Sequence, residues 1–322
     1  MADFKMQAKA NAILDAVSSV IVGKEEVEKL VLTAVLSRGH VLLEDVPGTG
    51  KTMMAKSLSK ALDTAFARIQ FTPDLLPADI TGINFYNRKE DEFVFRNGPI
   101  FTNVLLADEI NRATPRTQSA LLEAMEEHQV TVDGKTYALS EPFFTIATQN
   151  PVETAGTYPL PEAQLDRFLM KLSVGYPSKD EEVRMIERFL NDNPLQKIES
   201  CASREDVLAM QAEAEQVTVS EPVMRYIVEI ADATRAEEAI AVGVSPRGIL
   251  AMVRAARSYA YIDGRSFVTP DDIKTLAVPV FAHRLVRRTG TGRNMDGAQI
   301  IERILSEVSV PTEDFGSVAT EA

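Results

Sequence analysis

The hydrophobic pattern of the chain alternates between two periods over its first half. Short apolar runs at 40–44, 67–71, 103–107 and 143–147 have the length and content of buried strands. Helical spacing precedes and separates them, at 4–20, in a second helix through Val27 and Val35, from Met53 to Leu62, and around Leu121 to Met125. This alternation predicts a mostly parallel sheet with helices on both faces.

Two further segments are predicted to form hairpins inserted between these elements. Residues 83–101 form two runs of strand character around a polar turn at 87–91. Residues 129–139 surround Asp133-Gly134, a dipeptide that favours a tight hairpin turn.

After Pro177 the pattern changes to helices alone. Helix starts are marked by a cap residue with an acidic residue three positions on, or with an early proline. The starts are Ser178, Ser203, Ser220, Ser245 and Thr269. We therefore predict an α/β P-loop core over 1–177, a smaller all-α lid over 178–309 and a polar tail over 310–322.

A glycine-rich turn joins the first strand to the helix that follows it. Backbone N–H groups in such a turn can surround phosphates, and the helix N-terminus behind them favours negative charge. The predicted phosphate loop is Asp45-Val46-Pro47-Gly48-Thr49-Gly50-Lys51-Thr52, followed by Met53. Lys51 is expected on the β- and γ-phosphates of ATP and Thr52 on Mg²⁺, while Asp45 replaces the usual first glycine at the entrance of the loop.

The strand at 103–107 ends in two adjacent carboxylates, Asp108 and Glu109. Parallel strands deliver their carboxyl ends to one edge of the sheet, where ligands bind. Asp108 there can orient the water shell of Mg²⁺, and Glu109 can polarise the water that attacks the γ-phosphate. The alternative interpretation is a simple helix cap, which the preceding phosphate loop disfavours.

The strand at 143–147 continues to Asn150-Pro151. Asn150 either holds the attacking water opposite Glu109 or initiates the turn before Pro151. The predicted position of the strand favours the first alternative.

Two arginines are further candidates. Arg167 is either a surface residue paired with Glu162 or Asp166, or an arginine finger for the site of a neighbouring subunit. Arg247 stands in the first turn of a predicted helix, where the helix dipole disfavours a cation. A nearby anion such as the γ-phosphate would remove that conflict; the alternative is an arginine that turns out to solvent.

Composition narrows the class of function. The net charge of −13 disfavours binding of nucleic acid over a broad surface, and there is no Trp to stack on bases. No apolar run is long enough for a membrane span, no signal peptide is recognisable, and the single cysteine, Cys201, has no partner for a disulfide. We expect a cytoplasmic protein without membrane insertion.

Taken together, the motifs resemble those of the MoxR family of AAA+ ATPases. The similar segments include the phosphate loop, Leu106 to Ala113, Gln118 to Glu127, Ala147 to Pro151, Leu165 to Phe168 and Ser245 to Arg247. The family tolerates Asp at the position of Asp45.

The resemblance implies a role for each position. Lys51 and Thr52 fall on Walker A, Asp108 and Glu109 on Walker B, Asn150 on sensor 1, Arg167 on the arginine finger and Arg247 on sensor 2. It places Val22 and Gly23 near the adenine. It also implies a ring, expected to be a hexamer, and a client protein, which in relatives often has a von Willebrand factor A domain or depends on a metal. The rival hypotheses are a nucleic-acid motor and a nucleotide-gated scaffold with little turnover.

Overall fold

The computed structural model describes residues 4–46, 48–151, 156–190, 192–288 and 295–311. Its central sheet has five parallel strands in the order β2-β5-β8-β1-β9. The strands of this sheet are β1 (Val41–Glu44), β2 (Phe66–Gln70), β5 (Val104–Asp108), β8 (Phe144–Gln149) and β9 (Met170–Leu172).

Alternate residues of these strands enter two hydrophobic clusters, one on each face of the sheet. Val41 and Leu43 of β1 belong to the first cluster, and Leu42 between them belongs to the second. Strand side chains point alternately to opposite faces, so a strand buried on both faces is apolar throughout. This confirms the prediction that helices cover both faces of the sheet.

The helices surround this sheet and continue after it. They are α1 (Gln7–Ser18), α2 (Glu25–Leu36), α3 (Lys51–Ala61), α4 (Pro77–Thr81), α5 (Pro115–Glu127), α6 (Glu162–Leu165), α7 (Lys179–Leu190), α8 (Arg204–Ala214), α9 (Glu221–Ala236), α10 (Pro246–Ile262), α11 (Pro270–Phe281) and α12 (Gly297–Glu307). Within the described ranges, none of them is long and apolar enough to cross a membrane.

Both predicted hairpins are present. The first pairs β3 (Gly82–Asn87) with β4 (Glu92–Asn97), and the second pairs β6 (Gln129–Val132) with β7 (Lys135–Ala138). In the second turn Asp133 and Gly134 have φ of 49° and 77°. A two-residue turn of this kind needs positive φ at both positions, which Asp-Gly supplies at low cost.

Helices α7 to α12 follow the last strand of the sheet, and the predicted start of the lid after Pro177 lies between that strand and α7. Of the predicted tail, residues 312–322 lie outside the described residues. The predicted capping boxes of Ser178 with Glu181 and of Ser203 with Asp206 are present. Thr269, predicted as a cap before Pro270, also forms a capping box, with Asp272, and the Ser245 hydroxyl accepts a hydrogen bond from the Gly248 N–H. The pattern of helix starts did not reveal a short antiparallel ribbon, β10 (Ile240–Val242) with β11 (Val286–Arg287). The β11 segment is only two residues long, too short to show a strand period.

A buried arginine ties the lid to the core. The Arg284 side chain is 3% exposed and its Nε donates to Asp166 Oδ1 at 2.6 Å. It also donates to the backbone carbonyls of Phe168 and Leu169, in the loop before β9. A buried cation is tolerated only with such partners, so this lid residue fixes the start of β9.

A buried carboxyl lies at the junction of α1, α2 and the lid. Glu28 is 3% exposed; one of its oxygens accepts from the Ser18 hydroxyl and the other has no hydrogen-bond partner among the described residues. Arg188 of α7 donates to the carbonyls of Ser18 and Ile21 beside it. Burial raises the pKa of Glu28 from 4.5 to about 7, because the interior disfavours the charged form.

Because its pKa is higher in the folded protein, Glu28 takes up a proton on folding between pH 4.5 and about 7. The stabilisation that comes from this proton uptake is complete below pH 4.5 and is lost as the pH rises to about 7. We expect Glu28→Gln to raise the free energy of unfolding by about 3 kcal/mol at pH 8 and to change it little at pH 4.5. Denaturant unfolding at both pH values measures this difference.

The exposed neighbour Glu26 provides the control, since Glu26→Gln removes the same charge from the same helix without relieving burial. A Glu28→Gln protein less stable than its parent at pH 8 would show that the Glu28 carboxylate is compensated by Arg188.

Candidate functional site

The predicted phosphate loop lies between β1 and α3. Gly48 and Gly50 have φ of 88° and 89°, in the left-handed region that favours glycine. A Cβ added at either glycine would meet nothing within 4 Å, so the backbone faces open space. Pro47 lies outside the described residues. The loop therefore presents bare backbone at the N-terminus of α3, the arrangement that binds phosphate.

Asp45, the residue that departs from the usual loop sequence, anchors the loop. Its buried carboxylate accepts hydrogen bonds from the Ser173 hydroxyl at 2.8 Å and from the N–H groups of Val174 and Gly175 at 2.5 and 3.0 Å. Its carbonyl accepts from Lys51 Nζ at 3.0 Å. Asp45 thus joins the phosphate loop to the segment that leads into the lid.

The two carboxylates meet at the tip of the sheet, as predicted. Asp108 ends β5, and β8 beside it ends at Gln149, directly before Asn150. The Thr148 hydroxyl donates to Asp108 Oδ1 at 2.6 Å and accepts from the Glu109 N–H at 2.8 Å. Glu109 has a φ of 57°, so the chain turns sharply at this point.

Two residues of β2 that the sequence did not single out contact these carboxylates. Arg68 Nη2 lies 2.7 Å from Asp108 Oδ2, and Gln70 Nε2 donates to Glu109 Oε2 at 2.7 Å. They are two positions apart and so share a strand face. That spacing was visible in the sequence, but the pairing of β2 with β5 was not.

These side chains line one cleft of about 430 Å³, the phosphate cleft. Its lining comprises Asp45, Gly48, Gly50, Lys51, Thr52, Met53, Arg68, Gln70, Asp108, Glu109 and Asn150. The hydroxyl of Thr52 and the carboxylate of Asp108 are oxygen ligands of the kind Mg²⁺ prefers. Lys51 and the loop backbone suit phosphates. The residues present therefore fit magnesium-bound ATP.

An apolar pocket of about 280 Å³ adjoins the phosphate cleft and shares Gly48, Gly50 and Met53 with it. Val22 and Thr49 line it as well, and α7 contributes Met185 and Phe189. Gly23 lies in the chain between the lining residues Val22 and Lys24, and a Cβ there would come 1.9 Å from the carboxylate of Glu181, which also lines the pocket. A flat apolar base fits here, so the lid helix α7 and the core together enclose the position that the resemblance implies for adenine.

Arg167 and Arg247 lie elsewhere, in a cavity of about 410 Å³ that we name the arginine cavity. Arg167 Nε is 3.1 Å from one oxygen of Glu126, and Arg247 Nη2 is 2.9 Å from the other. The partner of Arg167 is thus Glu126 of α5, outside the two ion pairs considered from the sequence. The anion beside Arg247 is the same carboxylate, which offsets the helix dipole within the chain.

The arginine cavity is at the amino-terminal edge of the sheet. Arg167 precedes β9, and the Leu169 N–H donates to the carbonyl of His40, the residue before β1. His40 also lines the cavity. The phosphate loop follows the other end of β1, so the structure separates both arginines from the phosphate cleft of their own chain.

Two family models match the chain. The model described as the ATPase family associated with various cellular activities (AAA) matches residues 40–170, and that of the AAA lid domain matches residues 232–304. The matched ranges contain the phosphate loop, Asp108, Glu109, Asn150 and Arg167 in the first case and Arg247 in the second.

Relatives match over nearly the whole chain. The protein YeaC of Bacillus subtilis (strain 168) is 50% identical over 303 residues, which are 93% of this chain and 94% of YeaC. Chaperone MoxR1 of Mycobacterium tuberculosis is 42% identical and covers 92% of this chain and 80% of its own. Protein MoxR of Paracoccus denitrificans is 30% identical, with 84% and 86% covered.

A crystal structure from Cytophaga hutchinsonii, described as that of a candidate ATPase, superposes with a TM-score of 0.89 at 40% identity and covers 95% of this chain and 96% of its own. The fold, the matched ranges and these relatives agree with the resemblance found in the motifs. The chain belongs to the MoxR family of AAA+ ATPases.

Proposed function

We propose that this protein hydrolyses ATP at sites formed between neighbouring copies in a ring, expected to be a hexamer, and uses the energy to remodel or activate a client protein. The observation that carries the proposal is the single cleft at the strand tips, lined by Lys51, Thr52, Asp108 and Glu109. The AAA+ family in general acts as oligomers.

In the proposed complex, the backbone of Gly48 to Gly50 and the amine of Lys51 bind the phosphates. Thr52 and Asp108 would hold Mg²⁺, which would neutralise charge on the bound phosphates. Arg68 now pairs with Asp108, so this guanidinium must give way or turn toward the phosphates when the metal binds. Val22 and Met53 pack against the base.

Glu109 is proposed as the general base that accepts a proton from the attacking water, with Asn150 orienting that water from the neighbouring strand tip. The Glu109 carboxylate is now held by Gln70 at 2.7 Å and by Arg112 at 3.3 Å. It must rotate away from these partners to reach the water. This restraint keeps the base from acting until the site is arranged for hydrolysis.

The inter-subunit part of the proposal rests on the position of Arg167. Four residues of β1 separate the two edges of the sheet by roughly 13 Å at about 3.3 Å per residue. An arginine at the amino-terminal edge therefore cannot reach the phosphates of its own cleft. In a head-to-tail ring the same side chain meets the cleft of the next copy, where it can stabilise charge in the transition state. Arg247 shares this location and, on this proposal, this role.

For the client, the exposed hairpin β3–β4 is the proposed contact. Phe93 is 73% exposed and lies across the hairpin from Tyr86 with the two rings tilted, and Ile83 and Phe85 are also exposed. Several exposed apolar side chains on one hairpin indicate a protein-binding surface. A client with a von Willebrand factor A domain or a metal-dependent activity would fit the family. The charge of −13 makes nucleic acid an unfavourable partner.

The role of Glu109 is tested by Glu109→Gln, which removes the base but keeps the shape of the side chain. We expect ATP turnover to fall by roughly 10²- to 10⁴-fold with little change in ATP affinity by calorimetry. Glu123→Gln makes the same chemical change at an exposed position of α5 and should leave turnover unchanged. Parental turnover in Glu109→Gln would support a site whose chemistry does not use this carboxylate.

The role of Arg167 is tested by mixing two inactive proteins. Arg167→Ala should lose about 10³-fold in turnover while binding ATP normally. Mixed with Glu109→Gln, it should regain activity, because about one interface in four then joins an intact cleft to an intact arginine. A loss of ATP affinity in the isolated Arg167→Ala monomer, or no recovery on mixing, would contradict a site between subunits.

The client surface is tested on the Glu109→Gln background, which should hold ATP and a bound client together. Adding Phe93→Ser should abolish retention of the client without changing ATP affinity, because the substitution removes the most exposed aromatic ring of the hairpin. Leu250→Ser, at an exposed apolar position of the lid, serves as the control. Equal retention by both proteins would place the client elsewhere.

A further inference from the structure

The arginine cavity holds more positive charge than Arg167 and Arg247 supply. Five arginines line it, together with the carboxylates of Glu126 and Asp166. The arginines are Arg38, Arg167, Arg247, Arg254 and Arg284. In a chain whose net charge is −13, such a concentration of guanidinium groups in one concave site is unusual.

Four of the five arginines have carboxylate partners. Glu126 pairs with Arg167 and Arg247, and Asp166 with the buried Arg284. Arg38 pairs with Glu215 at 3.3 Å, outside the cavity lining. Arg254 differs: across the described ranges, its guanidinium has no ion pair and no hydrogen bond.

The backbone of Arg254 is nevertheless held in place. It lies seven residues after Arg247 on α10, about two turns along the same side of the helix. Ser37 at the end of α2 donates to the Arg254 carbonyl at 3.2 Å, and it lies 2.9 Å from the Ser258 hydroxyl. This part of α10 is therefore held against the core, and the Arg254 side chain stands on the cavity wall.

Arg254 is an exposed residue at the cavity wall with other cations close by. Its pKa is lowered, first by desolvation and second by the like charge of Arg247. Arg284 deeper in the cavity has its pKa lowered to about 10, again first by burial, and both Arg247 and Arg254 contribute to that lowering. Within the cavity lining two carboxylates face five guanidinium groups, and Arg38 has its partner outside, so an added anion would be favoured.

We propose that Arg254 is a third phosphate-binding arginine, which contacts the triphosphate held by the neighbouring copy alongside Arg167 and Arg247. The inference rests on the proposed inter-subunit site and adds a residue to it. The planar guanidinium donates paired hydrogen bonds to phosphate oxygens, and a triphosphate brings about four negative charges to the cavity. Before the triphosphate binds, Arg167 and Arg247 are paired with Glu126, whereas the Arg254 guanidinium has no ion pair among the described residues.

A different role for Arg254 would be to pair with a carboxylate of the next copy and so hold the ring together. That role predicts a loss of assembly in Arg254→Ala. The phosphate-binding role predicts an intact ring with slow turnover.

The test compares Arg254→Ala and Arg254→Lys with Arg225→Ala in the full chain. Arg225 is an exposed lid arginine outside the cavity that pairs with Glu221, so Arg225→Ala is a control for the loss of one positive charge. We expect Arg254→Ala to lose roughly tenfold to a hundredfold in turnover, as for one charge-assisted hydrogen bond, and Arg254→Lys to recover part of it. Arg225→Ala should match the parent.

Sedimentation in the presence of ATP measures the mass of the ring. Mixing Arg254→Ala with Glu109→Gln shows whether Arg254 acts on the cleft of its own copy or on that of the next copy. An intact Arg254→Ala ring whose turnover recovers on mixing supports the proposal. Parental turnover, loss of the ring or failure to recover would each overturn it. The Arg167→Ala and Glu109→Gln mixture, measured in parallel, tests the inter-subunit site itself: if that mixture recovers and the Arg254→Ala mixture does not, only the inference about Arg254 fails.

Discussion

The parallel register of β1, β8 and β5 is the constraint on which the site depends. Three adjacent strands that run the same way must end at the same edge, so each contributes its next residues to one small volume. β1 contributes the phosphate loop, β5 the two carboxylates and β8 Asn150. Thr148 then links β8 to both carboxylate residues through one hydroxyl. An antiparallel neighbour would have placed one of these groups at the far edge.

The same constraint explains why the site residues predicted from the sequence lie in two places within a single copy. Residues that follow strands gather at one edge, and residues that precede strands, such as Arg167, gather at the other. The lid adds Arg247 and Arg254 to this second edge, and Arg284 fixes the lid there through Asp166. A ring that stacks the second edge of one copy on the first edge of the next would bring the parts together, so nucleotide state and assembly would be coupled by geometry.

The sequence was sufficient for the features that depend on local pattern. Strand periods, glycine and cap residues predicted the sheet, both hairpins, the phosphate loop and the carboxylates, because each is encoded within a few residues. Features that depend on which elements are neighbours were not predictable. Gln70 and Arg68 reach the carboxylates only because β2 pairs with β5, and Glu126 meets Arg247 only because α10 packs near the end of α5. Asp45 departs from the usual loop sequence, and the motif did not predict that its carboxylate accepts three hydrogen bonds from residues 173–175.

The central claim is that magnesium-bound ATP lies at the strand tips of one copy and is completed by the arginines of the next. A structure of the assembled protein with Mg²⁺ and a non-hydrolysable ATP analogue tests it most directly. The account predicts phosphates on the loop of Gly48 to Lys51, the metal between Thr52 and Asp108, and Arg167 of the adjacent copy at the γ-phosphate. Nucleotide bound away from the loop, or phosphates with no arginine from a second copy, would contradict it.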